Sequence, residues 1–248
     1  MCRTLGKVSF GTVQKLRAMA APIRLRSPAA SIAGLVFALG WPVLFWLVPG
    51  QTHQSVTNAN QDLQIILVEW VATILLASIV VFWERLPFAA SVGLRKPRWL
   101  DILAVLLALI ATSVTIWTIA YAFGLKASAL PNVDPAKLKA LPFALRFTLV
   151  LTAGFCEEVL FRGYAIERLA ALTGKLWVGA LAAIALFTLG HVARYGFSVG
   201  LLGVGIIAVF VTLLYVWRRS LWPCIAMHWI IDGLPLLLGP IFIRPQLL

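Results

Sequence analysis

Val199–Trp217 reads VGLLGVGIIAVFVTLLYVW, nineteen consecutive residues without a charged side chain. At about 1.5 Å of rise per residue, such a run on a helix covers roughly the 30 Å hydrocarbon core of a bilayer. Comparable apolar runs lie on either side of it, near 29–49, 64–84, 99–122, 144–171, 176–193 and 221–243. The pattern predicts an all-α, polytopic membrane bundle of about seven transmembrane helices. Composition agrees: the 248 residues are 61% hydrophobic and 12% charged, with a mean hydropathy of +0.95. A soluble domain is only about 45–50% apolar, so lipid is the solvent this chain is built for.

Charge then speaks to orientation. Lys and Arg number 21 against 9 Asp and Glu, a formal net charge of +12. No basic patch interleaved with aromatic residues lies in a soluble segment, so no nucleic-acid partner is expected. In a membrane protein this excess reports topology and attraction to anionic lipid. Residues 1–28 carry Arg3, Lys7, Lys15, Arg17, Arg24 and Arg26 with no acid and no apolar signal-peptide core. They read as a basic cytosolic tail before a single domain at 29–248, although an organellar transit peptide has a similar composition. With the N-terminus inside, the seven spans place fifteen basic residues in or near inner segments and six outside. The expected location is the plasma (inner) membrane, N-terminus cytoplasmic.

Chemistry-bearing residues interrupt the later apolar runs. An ionised group at the centre of a spanning helix costs roughly 2.5–3.5 kcal/mol on insertion scales, so each one asks for a reason. Glu157 and Glu158 precede Arg162, and Glu158 and Arg162 stand at i and i+4 in the favourable order for an ion pair. Glu157 points about 100° away on an ideal helix and is left free to act as a base. The bland alternative, a Glu–Arg pair at a helix end, explains Glu158 and Arg162 but not Glu157. Thr173-Gly174 reads as a turn, with Glu157 seventeen residues before the glycine and His191 seventeen after it. An antiparallel hairpin would bring those two to one level. His228 and Asp232 follow as i and i+4 on the last helix, ahead of Gly233, Pro235, Gly239 and Pro240, where a break is expected. Glu69, inside the second helix, is expected to snorkel toward that helix's outer end. Cys2, Cys156 and Cys224 match no metal spacing. Cys156 beside Glu157 is a conceivable nucleophile, but an apolar burial site disfavours a thiolate.

These three motifs together resemble the CAAX-protease and bacteriocin-processing (Abi) family of intramembrane glutamic endopeptidases. The family pattern is Glu-Glu-x-x-x-Arg, then Phe-x-x-x-His, then His-x-x-x-Asn or Asp. Here it reads Glu157-Glu158-x-x-x-Arg162, Phe187-x-x-x-His191 and His228-x-x-x-Asp232, in order, within residues 144–235. The resemblance implies proteolysis in the membrane, with Glu157 and His191 activating water and His228 and Asp232 at the oxyanion. Glu158 and Arg162 would be the supporting pair. An ionised Asp would repel an oxyanion, so Asp232 is expected either to be protonated or, by preference, to orient His228. No cofactor is expected; zinc is the alternative, since one Glu and two His are zinc-type ligands, but His-Glu-x-x-His is absent. The substrate implied is a membrane-associated peptide or a prenylated C-terminal peptide. A proton-coupled transporter and a non-catalytic immunity or scaffold protein are the competing functions, and the lack of an internal repeat weighs against the transporter.

Overall fold

The computed structural model describes residues 25–44, 59–125 and 135–239, and among these every regular element is helical. The first helix, α1, is Pro28–Leu44. Next, α2 spans Ala59–Ser78 and runs on through a π-helical turn, Ile79–Trp83. Short α3, Phe88–Ser91, leads to α4, Trp99–Ala122. Short α5 is Pro135–Ala140. Then α6, Phe143–Glu157, continues through a nine-residue π-helical stretch, Glu158–Ile166, into α7, Glu167–Thr173. The remainder is α8, Leu176–Gly190, short α9, Val192–Tyr195, α10, Val199–Arg218, and α11, Leu221–Gly233.

Five segments are long and apolar enough to cross a bilayer: 59–83, 99–122, 176–195, 199–218 and 221–238. Adding α1 and the rod formed by α6, its π stretch and α7 gives the polytopic bundle of about seven helices. The chain is an integral membrane protein. Its surface and interior are inverted relative to a soluble domain. Phe82, Trp117 and Tyr121 are 77%, 75% and 92% exposed, while Glu84, Glu158, Arg162 and Arg168 are among the most deeply buried side chains. Large apolar groups face lipid and the charged groups pair inside, where no water competes for them.

Local signals set several helix ends. Arg98 N–H donates to Asp101 Oδ2 at 2.7 Å, closing the first turn of α4. Ser198 Oγ accepts from Gly200 N–H at 3.2 Å to start α10. Gly174 takes φ +72° between α7 and α8, the left-handed conformation the Thr-Gly turn demands. A second glycine sets helix spacing. At Gly179 on α8 a Cβ would lie 2.6 Å from the Ile166 carbonyl oxygen, so only glycine lets α8 close on the π stretch.

Three boundaries differ from the sequence expectation. Helix α2 starts at Ala59, earlier than 64, because Asn60, Gln61 and Asp62 form a polar first turn in which an acid suits the helix dipole. The expected loop at 123–143 contains α5, with Pro135 at the first position where a proline costs nothing. The break expected after Asp232 does not occur: α11 widens into a π-helical turn, Leu234–Leu238. Pro235 sits near the start of that turn, and Arg146 donates to the Leu236 carbonyl at 2.7 Å. The basic tail, up to residue 24, lies outside the described residues, as do 45–58, 126–134 and 240–248.

Four buried or half-buried arginine–carboxylate pairs lace the bundle: Glu84–Arg168, Asp101–Arg218, Glu158–Arg162 and Glu167–Arg219. The first is the hub of one end. Glu84 Oε1 accepts from Ser31 Oγ at 2.7 Å and Tyr164 O–H at 2.9 Å, and Arg168 Nε reaches it at 3.1 Å. Arg168 also donates to the Ser91 carbonyl at 3.0 Å, so α1, α3, the end of α2 and the π stretch meet there. Burial pushes the Glu84 carboxyl up, but the Arg168 and Ser31 hydrogen bonds, the Arg168 charge and the Tyr164 hydroxyl outweigh it, leaving it below its ordinary 4.5. A carboxylate lowered on folding stabilises the fold above its unfolded value, and that contribution fades as pH falls through the folded one. Arg168→Met strands the carboxylate and is expected to cost about 3–5 kcal/mol, read as a lower unfolding midpoint in detergent at pH 7. The deficit relative to wild type should shrink as the pH is taken well below 4.5; an unchanged midpoint at pH 7 refutes the hub.

Candidate active site

Glu158 lies at the start of the π stretch and is fully buried. Its Oε1 accepts from Arg162 NH1 at 2.9 Å and lies 2.8 Å from His228 Nδ1. Glu158 Oε1 already serves as the acceptor for a guanidinium, so His228 Nδ1 is assigned as the donor in this contact. That fixes the tautomer and turns His228 Nε2 outward. Nε2 stands 3.7 Å from Glu157 Oε2 and 3.4 Å from Asp232 Oδ2. The i,i+4 pair of α11 thus meets the cavity-facing nitrogen, whereas the tight orienting contact at Nδ1 belongs to Glu158. Sequence spacing found the Arg162 partner of Glu158. It offered no signal for His228, which is seventy residues away on another helix.

Arg162 is itself held from three sides. Its guanidinium lies 4.3 Å from the centre of the Phe187 ring, and Nε approaches Thr212 Oγ1 at 3.4 Å. Phe187 stacks edge-on to Phe161 and lies 4.6 Å, ring to ring, from His191. So the phenylalanine of Phe-x-x-x-His is a spacer between the ion pair and the second imidazole. His191 ends α8, and its Nδ1 lies 2.8 Å from the Phe187 carbonyl oxygen. A carbonyl only accepts, so Nδ1 carries a hydrogen, and in the neutral imidazole Nε2 holds the free lone pair.

Glu157, His191, His228 and Asp232 all line a cavity of about 360 Å³, within the size range of small-ligand sites. Four helices supply its polar wall: α6 gives Glu157, α8 ends at His191, α11 gives His228 and Asp232, and α2 adds Asp62 and Glu69. Glu69 is therefore not a snorkelling residue. It is 3% exposed and turned inward, because Trp70 next to it donates to Thr152 Oγ1 at 3.0 Å and sets the rotation of α2 against α6. Trp229 does the same for α11, donating to the Leu151 carbonyl at 3.2 Å over Gly154. A Cβ at Gly154 would lie 2.2 Å from that indole, so the glycine permits the approach. Cys156 is fully buried and is not among the residues lining the cavity, which removes it as a nucleophile for a ligand there. Among the described residues no group of three or more His, Cys, Asp or Glu is arranged to hold a metal ion.

The arrangement offers one carboxylate with lone pairs facing a cavity, one imidazole nitrogen that can accept a hydrogen bond, and one imidazole clamped from behind by a buried acid. Such a set can move protons and polarise a carbonyl. Comparison with known proteins bears on which chemistry this is. No curated protein and no solved structure among those compared matches the chain. Residues 139–234 match the family model described as type II CAAX prenyl endopeptidase, Rce1-like. That stretch contains Glu157, Glu158, Arg162, His191, His228 and Asp232, while α2 with Asp62 and Glu69 lies outside it. Over residues 139–234, about two fifths of its length, the chain is similar to the Rce1-like type II CAAX prenyl endopeptidases.

Proposed function

We propose that this protein is an intramembrane endopeptidase in which Glu157 activates water against a peptide carbonyl of a membrane-associated substrate. The observation that carries the reading is the placement of the Glu157 carboxylate 3.7 Å from His228 Nε2, in a cavity shared with His191. Glu157 takes one proton from water, and His191 Nε2 accepts the other O–H as a hydrogen bond and aims the oxygen. The hydroxide oxygen bonds to the carbonyl carbon, and the carbonyl oxygen takes up the negative charge. His228, steadied by Glu158, donates from Nε2 to that oxyanion when doubly protonated. Asp232 Oδ2 lies 3.4 Å from the same nitrogen and, when His228 is doubly protonated, orients the ring. The tetrahedral intermediate collapses as the C–N bond breaks, and Glu157 returns its proton to the leaving amine. One water is consumed, one carboxylic acid and one amine appear, and neither a covalent intermediate nor a metal is required.

The family description, a CAAX prenyl endopeptidase, supports a prenylated C-terminal peptide as one substrate class; any membrane-associated peptide that presents an extended segment to the cavity serves the same chemistry. Topology bears on the direction of approach. Arg85, Arg95, Lys96, Arg98, Lys175, Arg218 and Arg219 gather at the end of the bundle where α2 and α10 finish and α4, α8 and α11 begin. The cavity instead reaches Pro42, Gln61, Arg194 and Pro235, at the opposite ends of their helices. With the basic end and the N-terminus cytoplasmic, at an inner membrane whose anionic lipid meets those charges, the mouth opens to the far side.

Glu157→Gln keeps the shape and removes the base, and should lower cleavage of a micelle-presented peptide by at least about a hundredfold while insertion is retained. Undiminished cleavage by purified variant protein refutes the mechanism. Exhaustive chelation followed by assay in metal-free buffer should leave activity intact; loss restored by added zinc would replace the metal-free mechanism. For orientation, Arg194→Cys in a chain stripped of its own cysteines should react with an impermeant thiol reagent on intact cells. Labelling confined to inverted vesicles would reverse the topology.

A further inference from the structure

Nine carboxylates are distributed unevenly in this chain. Glu84, Asp101, Glu158 and Glu167 each hold an arginine. Asp62, Glu69, Glu157 and Asp232 line the cavity, and no described lysine or arginine makes an ion pair with any of them. Glu157 and Asp232 at least meet His228. Asp62 and Glu69 have no such partner among the described residues: each is 3% exposed, and Asp62 Oδ2 and Glu69 Oε2 lack any hydrogen bond. Buried, unpaired carboxyl oxygens are expensive, more so inside a membrane protein, and the chain has many basic residues with which to pair them. Glutamine or leucine at 62 and 69 would avoid the cost.

The two residues are seven apart on α2, about two turns or roughly 10 Å along the axis, so they form a stripe down one wall. Asp62 lies in the first turn, within electrostatic reach of Arg194 at the mouth. Glu69 lies deeper, within reach of Glu157, His228 and Asp232. The stripe thus runs from the entrance to the proposed reacting groups. Arg194 is the single lysine or arginine among the lining residues. Anything entering passes a wall that rewards positive charge, and a long flexible cation can place its charge there while an apolar stem crosses the apolar lining.

Resting on the peptidase reading, we propose that Asp62 and Glu69 form a specificity subsite that receives a lysine or arginine side chain of the peptide substrate near the bond to be cut. The subsite is supplied by α2, outside the segment matched by the family. It selects among peptides; the bond-breaking groups lie on α6, α8 and α11.

The test uses the full-length protein in detergent micelles, with the Glu157→Gln variant as a binding-competent background. Probes are fluorescein-labelled apolar hexapeptides in which lysine, or norleucine as its neutral counterpart, is scanned through each position. At one position lysine should bind about tenfold more tightly than norleucine, the scale of one charge-assisted contact. Added Asp62→Asn or Glu69→Gln should bring that ratio toward one, with unfolding midpoints no lower than the parent's, since each change replaces a buried carboxyl that has an unsatisfied oxygen. A ratio near one at every position in the parent, or a preference that survives both substitutions, overturns the subsite. Because binding is read without turnover, failure of wild-type cleavage sinks the peptidase reading and leaves this result standing or falling separately.

Discussion

One carboxylate oxygen holds the centre of this molecule together. Glu158 Oε1 meets Arg162 on its own helix and His228 on α11, both at hydrogen-bond distance and with no water-exposed surface on Glu158. In lipid such a group has no solvent to fall back on, so its partners must be in place for the bundle to close. The same contact fixes the proton on His228 Nδ1 and turns Nε2 toward Glu157. Structural and functional constraints therefore act through a single atom. Outward from it, Arg162 rests on Phe187, and Phe187 rests on His191. A chain of three contacts links the ion pair to the second imidazole.

The bundle treats its charges in two ways. At the basic end, arginines neutralise carboxylates pairwise and tie helices together, as Arg168 does for Glu84 and Arg219 for Glu167. In the cavity, no carboxylate forms an ion pair with a described arginine, although Arg194 lines the mouth. Pairing stabilises a fold but silences an acid; a base that must take a proton from water needs an open lone pair. The segregation of paired from unpaired acids is thus what separates framework from site. It also explains why Glu157 and Glu158, adjacent in sequence, differ so completely. A rotation of about 100° between neighbouring residues puts Glu158 against Arg162 and leaves Glu157 facing the cavity.

Helix widening contributes to this placement. The stretch Glu158–Ile166 is π-helical, and its side chains from Glu158 to Ile166 are all buried. π-Helical insertions are usually short and cluster at functional sites, where they redirect side chains. Here the widened stretch carries Glu158, Arg162 and Tyr164, which face α11, α8 and α1 respectively through His228, Phe187 and Ser31. A second π turn after Gly233 replaces the helix break that glycine and proline suggest. Within that turn the Leu236 carbonyl accepts from Arg146 on α6.

The amino-acid sequence alone determined the solvent and the helical bundle, and it singled out Glu157, His191, His228 and Asp232 but not Asp62 or an inward Glu69. Hydrophobic runs of bilayer length, the i,i+4 spacing of Glu158 with Arg162 and of His228 with Asp232, and the turn at Gly174 are local properties, legible wherever they occur. Rotation of each helix about its axis is not local. It was decided by contacts between helices: Trp70 on Thr152, Trp229 on Leu151 over Gly154, and Gly179 against Ile166. For that reason Glu69, which reads as a snorkelling residue, turns inward to the cavity, and Glu158, which reads as half of a pair, becomes the joint between two helices. A periodicity shows which residues share a face; only packing decides what that face meets.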